Sequence, residues 1–341
     1  MIMKTLKTLF LMVVSISILS CSNDDAPSPA LCLNMKFYGL RVPNDQSNPI
    51  DLVSNSSANI GSSNVNVLST SSFPRQLVPN RATYDFSSDT YIYLNRWNNA
   101  TNEIIRSVGL SGLSNVNLSP TTSQFDGIVS YNGNFYALER DNTGAVYFVS
   151  INVLTGSTTR ITGTDISSSI SLSVPISAGN NICYAASDEN GKLYFLSNNL
   201  IAIDEASGNL IQTFTPPATT AFTYLDIVKT DAAAGIDGLF VAKTGGGFNG
   251  LVHWELDTAS GTIAENPILN GLDFNPETTD LTFNDCGDRI LAMSNYGFSG
   301  GYSKFYDVQV PNDPHLPTSA NQGNLVDTRI FSELFVGIAN F

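Results

Sequence analysis

The stretch KFYDVQVPND (304–313) decides the fold, because the chain carries almost the same sequence near its other end, KFYGLRVPND (36–45). Seven of the ten positions are identical, and most of the chain lies between Lys36 and Lys304. Alternation of large apolar residues with other residues is typical of a β-strand. A strand that occurs twice, once toward each end of the chain, indicates an internally repeated fold.

Two hairpin patterns give the length of the repeat. In the first, a tight turn precedes an alternating strand, as in YNGNFYAL (131–138), DENGKLYFL (188–196) and the weaker copies SSDTYIYL (87–94), IDGLFVA (236–242) and DCGDRILA (285–292). In the second, a strand runs into a turn that ends in glycine, as in VSINVLTG (149–156), IAIDEASG (201–208), HWELDTASG (253–261) and the looser VGLSG (108–112). Glycine accepts the positive φ that such turns require. Because Gly156, Gly208 and Gly261 are almost evenly spaced, each repeat contains two hairpins and therefore four strands.

Four strands per repeat is the composition of a β-propeller blade, and the second turn resembles the D-x-x-T-G hairpins of many propeller families. The interval from Lys36 to Lys304 is about five times the interval between these glycines. We therefore predict that the two KFY segments are the third strands of the first and sixth blades, and that residues 334–341 supply the innermost strand of the first blade and close the ring. The predicted fold is an all-β, six-bladed propeller over residues 31–341. Seven blades are the alternative if residues 46–81 contain a degenerate blade.

Composition supports a folded β-protein and excludes several classes of partner. The chain is 42% hydrophobic and 13% charged, which is too apolar for a disordered protein. With 30 acidic and 16 basic residues the net charge is −14, which repels nucleic acid. Besides Cys21 the chain has three cysteines, Cys32, Cys183 and Cys286, without CxxC spacing; we expect buried thiols, with a single disulfide as the alternative.

The N-terminus has the layout of an export signal. Lys4 and Lys7 precede an apolar run that is too short to span a membrane, so we assign residues 1–20 to a signal peptide. The following ILSC (18–21) resembles the lipobox of bacterial lipoproteins, which implies that Cys21 is lipidated and anchors the chain to the membrane. The acidic SNDD (22–25) resembles the surface-export signal of Bacteroidota lipoproteins, so we predict an outer-membrane location facing the cell exterior, with residues 21–30 as a tether. An ordinary secretory signal, with Cys21 free or in a disulfide, is the alternative.

The propeller architecture directs attention to one face of the ring, where the loops between second and third strands lie. These loops carry aromatic residues and cations beside glycines and amides, which suits stacking on sugar rings or holding a peptide. The predicted ligand-binding residues are Trp97, Arg140, Lys243, Phe248, Tyr296 and Phe298. The alternative is that the aromatic side chains fold back onto the blade edges.

Three aspartates are predicted near the start of innermost strands, in FDG (125–127), LDI (225–227) and TDL (279–281). Asp126 and Asp280 each precede a turn glycine by the same interval, and Asp226 matches if residues 231–237 are an insertion. Carboxylates around a channel mouth are suited to Ca²⁺, the one cofactor this pattern suggests. The alternative is that each aspartate accepts hydrogen bonds from backbone amides.

Catalytic motifs are scarce, so we predict no catalytic residue. There is no G-x-S-x-G sequence, and the chain has two histidines, His253 in a strand and His315 in a proline-rich turn. The leading functional prediction is a surface-anchored lipoprotein that binds a glycan, a peptide or a partner protein through the loop face. The alternative is a calcium-dependent hydrolase of lactones or glycosides that uses the three aspartates, since six-bladed propellers include calcium-dependent lactonases.

Overall fold

The computed structural model describes residues 36–42, 50–56, 66–71, 82–95, 102–172, 183–188, 190–217, 222–229, 237–275, 279–283, 289–297, 301–311 and 322–340. The regular structure in these ranges consists of β-strands. None of these segments forms a helix of the length and apolarity needed to span a bilayer.

The strands form six antiparallel sheets of four. In chain order the first twelve are β1 Lys36–Val42, β2 Ile50–Ser56, β3 Asn66–Ser71, β4 Ala82–Asp85, β5 Thr90–Asn95, β6 Glu103–Val108, β7 Ser114–Asn117, β8 Gln124–Tyr131, β9 Asn134–Arg140, β10 Val146–Ile151, β11 Thr158–Arg160 and β12 Tyr184–Ser187. The others are β13 Lys192–Leu196, β14 Leu200–Asp204, β15 Leu210–Phe214, β16 Phe222–Lys229, β17 Asp237–Gly245, β18 Phe248–Asp257, β19 Thr262–Asn270, β20 Thr279–Phe283, β21 Arg289–Tyr296, β22 Tyr302–Gln309, β23 Asn324–Phe331 and β24 Leu334–Asn340.

The sheets are the six blades of a β-propeller, which confirms the predicted fold and blade count. From the innermost strand outward, blade 1 is β24-β1-β2-β3, and blades 2 to 6 each use four consecutive strands, from β4-β5-β6-β7 to β20-β21-β22-β23. The innermost strands contact one another in the closed order β24, β4, β8, β12, β16, β20. The alternative of a seventh blade concerned residues 46–81. The two strands described there, β2 and β3, belong to blade 1.

The position predicted for KFYGLRV is wrong. KFYDVQV lies in β22, the third strand of blade 6, as predicted, but KFYGLRV is β1, the second strand of blade 1. The C-terminus supplies a single strand, β24, so the first strand in sequence is second in its sheet. The two copies nevertheless meet where the ring closes, because the rings of Phe37 and Phe305 stack with centroids 5.4 Å apart.

The hydrophobic core is divided among the seams between blades. Six clusters of buried residues occur in the described ranges, and each one joins two neighbouring blades. β5 shows why: all six of its residues are buried, with Tyr91 and Tyr93 facing blade 1 while Ile92 and Leu94 face blade 3. Strands of this kind are apolar on both faces because both faces pack against a neighbour.

The predicted hairpins are present wherever the described residues cover them. Asn132 and Gly133 both have positive φ (47° and 80°), as a two-residue turn between β8 and β9 requires. In the outer hairpins, Asp204 accepts hydrogen bonds from Ser207 and Asp257 accepts them from Ser260, and the glycine that follows has positive φ. The hydrogen bonds from serine hold the pKa of both aspartates below its usual value, so both turns carry a charged cap.

Candidate functional site

The loop face of the ring carries the connections between second and third strands and between successive blades. Arg140 ends β9, Lys243 lies near the end of β17, Phe248 begins β18 and Tyr296 ends β21. These four predicted residues therefore lie toward the loop face, but they belong to blades 3, 5 and 6 and are not gathered into one cluster. Trp97 and Phe298 lie outside the described residues.

Lys243 is occupied by an internal ion pair. Its side chain is buried in the seam between blades 4 and 5, and its amine bonds to a Glu265 carboxylate oxygen. The other oxygen of Glu265 accepts a hydrogen bond of 2.9 Å from Trp254 Nε1. The ring of Phe248 lies 5.2 Å from the amine and packs against the same seam. In the described residues, Lys243 and Phe248 therefore stabilise blade 5 from within.

Besides Arg140 and Lys243, the loop face carries a further cation, Arg160, that the sequence did not predict. Arg160, at the end of β11, makes bonds of 2.8 and 3.0 Å to the two oxygens of Glu139 and lies 3.5 Å from the ring centroid of Tyr147. Glu139 also accepts a bond of 2.6 Å from the Ser123 hydroxyl. These contacts fix the guanidinium at the seam between blades 2 and 3, against which Tyr147 packs.

Among the described residues, the most open aromatic surface on the loop face is built on Tyr296 and Tyr302. Tyr302, the first residue of β22, lies opposite Tyr296 in register, and the two rings stack at 4.8 Å with an interplanar angle of 16°. Tyr302 is 37% exposed, while Tyr296 covers one face of its ring. Gly301 approaches Gly297 closely at the end of this hairpin. A Cβ at position 301 would lie 2.0 Å from the Gly297 carbonyl oxygen, so this approach requires glycine.

Polar groups beneath this stack hold it in place. The hydroxyls of Tyr296 and Tyr306 lie 3.3 Å apart, and Tyr306 donates a bond of 2.7 Å to the carbonyl oxygen of Asp273. The amine of Lys304 lies 3.6 Å from the Asp273 carboxylate and 5.0 Å from the Tyr306 ring. We call Tyr296, Tyr302, Tyr306, Lys304 and Asp273 together the tyrosine platform.

The charge state of the platform is defined at neutral pH. Burial raises the pKa of Tyr296, and its hydrogen bond with Tyr306 adds to the effect, so this phenol stays neutral. Partial burial opposes protonation of Lys304, but its contacts with Tyr306 and Asp273 outweigh burial and raise its pKa. The platform thus presents aromatic rings next to the Lys304 ammonium and the side chain of Asp273, a combination that can stack on a ligand and also donate and accept hydrogen bonds.

Two of the three predicted metal ligands hold neighbouring blades together. Asp126 is fully buried, and its oxygens accept bonds from the backbone N–H groups of Gly127 (3.0 Å) and Cys183 (3.3 Å), the latter in blade 4. Asp280 is 3% exposed and accepts a bond of 3.0 Å from the N–H of Ile338 in blade 1. Each carboxylate therefore reaches from its own innermost strand to the innermost strand region of the next blade.

The calcium site remains a prediction. Asp226 lies in β16 opposite Ala242, and its side chain is outside what the structure describes. Within the described ranges, no three His, Cys, Asp or Glu side chains are grouped so as to hold a metal ion. His253 is buried in the seam between blades 5 and 6, edge-on to Phe240 at 5.2 Å, and Cys183 is a buried thiol outside any disulfide. Cys32, Cys286 and His315 lie outside the described residues.

Comparison with known proteins finds similar solved structures, at low sequence identity. Neither a known protein family nor a curated protein matches the sequence. Among solved structures, the chain is similar to TolB from Acinetobacter baumannii, at 10% identity and a TM-score of 0.47, covering 90% of this chain and 67% of TolB. It is similar to a structural genomics protein of unknown function from Bacteroides thetaiotaomicron (10% identity, TM-score 0.47, 80% and 70% covered). It is also similar to the GH43 endo-arabinanase of Bacillus licheniformis (12% identity, TM-score 0.41, 73% and 98% covered).

Proposed function

We propose that this protein is a lipid-anchored binding protein of the bacterial cell surface, of the Bacteroidota type, that takes a glycan, peptide or protein ligand on its loop face. The observation that carries the binding role is the tyrosine platform. Tyr302 offers an exposed ring that is already fixed by Tyr296, so a ligand that stacks on it has little side-chain entropy to remove. Lys304 and Asp273 supply a donor and an acceptor next to the ring.

Among the described residues, no observation favours the hydrolase alternative. The buried carboxylates of Asp126 and Asp280 already accept backbone hydrogen bonds, and the hydroxyls of Tyr296 and Tyr306 bond to each other and to the carbonyl oxygen of Asp273. Binding is therefore the better supported activity.

Replacing Tyr302 by alanine should weaken ligand binding by about thirtyfold, because a buried aromatic anchor contributes about 2 kcal/mol or more to an interface. Ligands would first be selected with the labelled protein on glycan and peptide arrays, and affinities then measured by calorimetry. Thermal unfolding of the variant should stay close to that of the parent, since Tyr302 lies at the end of a strand.

Phe86→Ala is the matched control for this prediction. Phe86 is 81% exposed but lies in the β4–β5 turn, on the face opposite the loops. The proposal requires that its loss leaves affinity unchanged. Equal weakening by both variants, or none by Tyr302→Ala, would place the ligand elsewhere.

Anchoring is tested separately through Cys21. The intact chain should incorporate a clickable palmitate analogue and fractionate with the outer membrane, whereas Cys21→Ser should remain unlabelled and soluble. External protease should degrade the anchored protein on intact cells if it faces outward. Protection until lysis would place it on the periplasmic side, and labelling of the Cys21→Ser variant would contradict the lipid assignment.

A further inference from the structure

The outer edge of blade 6 is unusual among the described outermost strands. β23 has eight residues and exposes three large apolar side chains, Leu325 (40%), Val326 (46%) and Ile330 (62%). As the outermost strand, it pairs on one side with β22, and within the described ranges no strand pairs with its other edge. Exposed apolar edges of this length are sites where a further strand adds.

Four of the other five outer strands have features that discourage such pairing: β7, β11 and β15 have only four, three and five residues, and β19 contains Pro267. The fifth, β3, has six residues and exposes one large apolar side chain, Val67. Short strands and prolines are the usual protection of a sheet edge. In β23 the one irregularity is a bulge at Val326, which leaves Asp327–Phe331 in regular register with β22.

The sequence of β23 is complementary to itself. Around Thr328 the strand reads Val326, Asp327, Thr328, Arg329, Ile330. In an antiparallel pair centred on Thr328, Asp327 of one copy lies opposite Arg329 of the other, and both residues belong to the part of β23 that keeps regular register. Opposite charges that face each other are among the pairs that stabilise antiparallel strands.

We propose that two copies of this protein associate through β23, related by a two-fold axis at Thr328, so that two blades form one eight-stranded sheet. A two-fold axis repeats each contact, so the Asp327–Arg329 pair occurs twice. Within one chain, Arg329 already lies 2.7 Å from Asp327 and both side chains are about half exposed, so association joins two ion pairs into an alternating group of four charges.

Charge also fixes the register of the pair. A shift that centres the pairing on Arg329 places the two guanidinium groups opposite each other, and one that centres it on Asp327 does the same with two carboxylates. Like charges directly opposite each other destabilise a strand pair. The register centred on Thr328 is thus preferred over both neighbours. The interface is the outer edge of β23, whereas the platform residues Lys304 and Tyr306 lie on β22, in register with Ile330 and Thr328.

A cysteine cross-link tests the register. With Thr328→Cys in the intact chain, the two thiols face each other across the axis, where Cα atoms lie about 4.5–5.5 Å apart, within the range of a disulfide. Ile330→Cys is the matched control, because its own copy lies four residues along the strand, at about 13 Å. We expect mild oxidation to give a reducible dimer of Thr328→Cys, and much less from Ile330→Cys or the parent chain. Equal cross-linking at both positions overturns the proposed register.

Charge exchange tests the interface by sedimentation. Asp327→Arg and Arg329→Asp should each weaken the dimer by about tenfold, since each creates two like-charge pairs, and the double variant should restore it. The two single variants change the net charge in opposite directions, so a general charge effect cannot weaken both. A parent chain that stays monomeric at high concentration, or a double variant as weak as the single ones, overturns the proposal.

Discussion

Deleting residues 334–341 should abolish cooperative unfolding of the propeller, whereas deleting residues 22–29 should leave it unchanged. β24 is the innermost strand of blade 1 and lies between β1 and the neighbouring blades. It buries Leu334, Phe335, Val336 and Ile338. At about 1.5–3 kcal/mol for each side chain, their loss approaches the whole stability of a typical domain, about 5–15 kcal/mol.

Side chains of two neighbouring blades also bond to the backbone of β24. From blade 6, Asn295 donates to the carbonyl oxygen of Phe335 (2.6 Å), Ser303 accepts from the N–H of Phe335 (2.8 Å), and Asp280 accepts from the N–H of Ile338 (3.0 Å). From blade 2, Tyr91 donates to the carbonyl oxygen of Gly337 (2.7 Å). Deletion leaves these buried groups without their partners, which costs about 1–3 kcal/mol for each group.

Circular dichroism melting and urea titration of the parent and both truncated chains are the measurements. The deletion of residues 22–29 is the control for loss of a terminal segment of equal length, and those residues precede the first described strand. A chain lacking residues 334–341 that melts within a few degrees of the parent would show that β24 is dispensable for closure.

The hairpins were predictable because their signals are local. The Asn132–Gly133 turn and the aspartate–serine turns before Gly208 and Gly261 depend on residues within one turn of chain. These turns gave four strands per repeat and the length of the repeat, and the interval between the two KFY segments then gave six blades.

The position of KFYGLRV was not predictable in the same way. Both KFY segments need an aromatic residue on each face, because Phe37 and Phe305 fill the seam between blades 6 and 1, while Tyr38 and Tyr306 face the opposite seams. A second strand and a third strand share this requirement. The pattern therefore predicts a strand buried on both faces, and its place in the sheet depends on β24, at the other end of the chain.

In the candidate site too, features encoded by local sequence were predictable, and features that depend on strand pairing and blade packing were not. Tyr296 was selected from its glycine-rich loop, but its partner Tyr302 is defined by hairpin register, which the sequence does not display. Lys243 was assigned to a loop because glycines follow it, yet β17 continues to Gly245 and places Lys243 opposite the buried Gly250 of β18. Asp126 and Asp280 were correctly placed at the starts of innermost strands, while their contacts with the next blade depend on how blades pack.

Gly337→Ala should destabilise the protein by about 2–5 kcal/mol, the largest effect we expect from a substitution that adds a methyl group and removes no existing contact. Gly337 lies in the bulge of β24 with φ of 60°, which costs a residue with a side chain about 1–2 kcal/mol. A Cβ there would also lie 2.7 Å from Tyr93 Cδ2 and 2.9 Å from both Ala82 Cβ and the Tyr91 hydroxyl. Overpacking of this kind adds about 1–3 kcal/mol.

Gly109→Ala separates the two contributions, because Gly109 has nearly the same φ, 59°, but nothing within 4 Å of the methyl group that the substitution adds. It should cost only the conformational part, about 1–2 kcal/mol. Urea titrations of both variants and the parent give the comparison. Tyr91 and Tyr93 belong to blade 2. A larger loss of unfolding free energy in Gly337→Ala than in Gly109→Ala therefore measures how tightly β24 packs against that blade. Equal losses at the two glycines would mean that this contact relaxes without cost, and that ring closure rests on the pairing of β24 with β1 and on the blade 6 contacts alone.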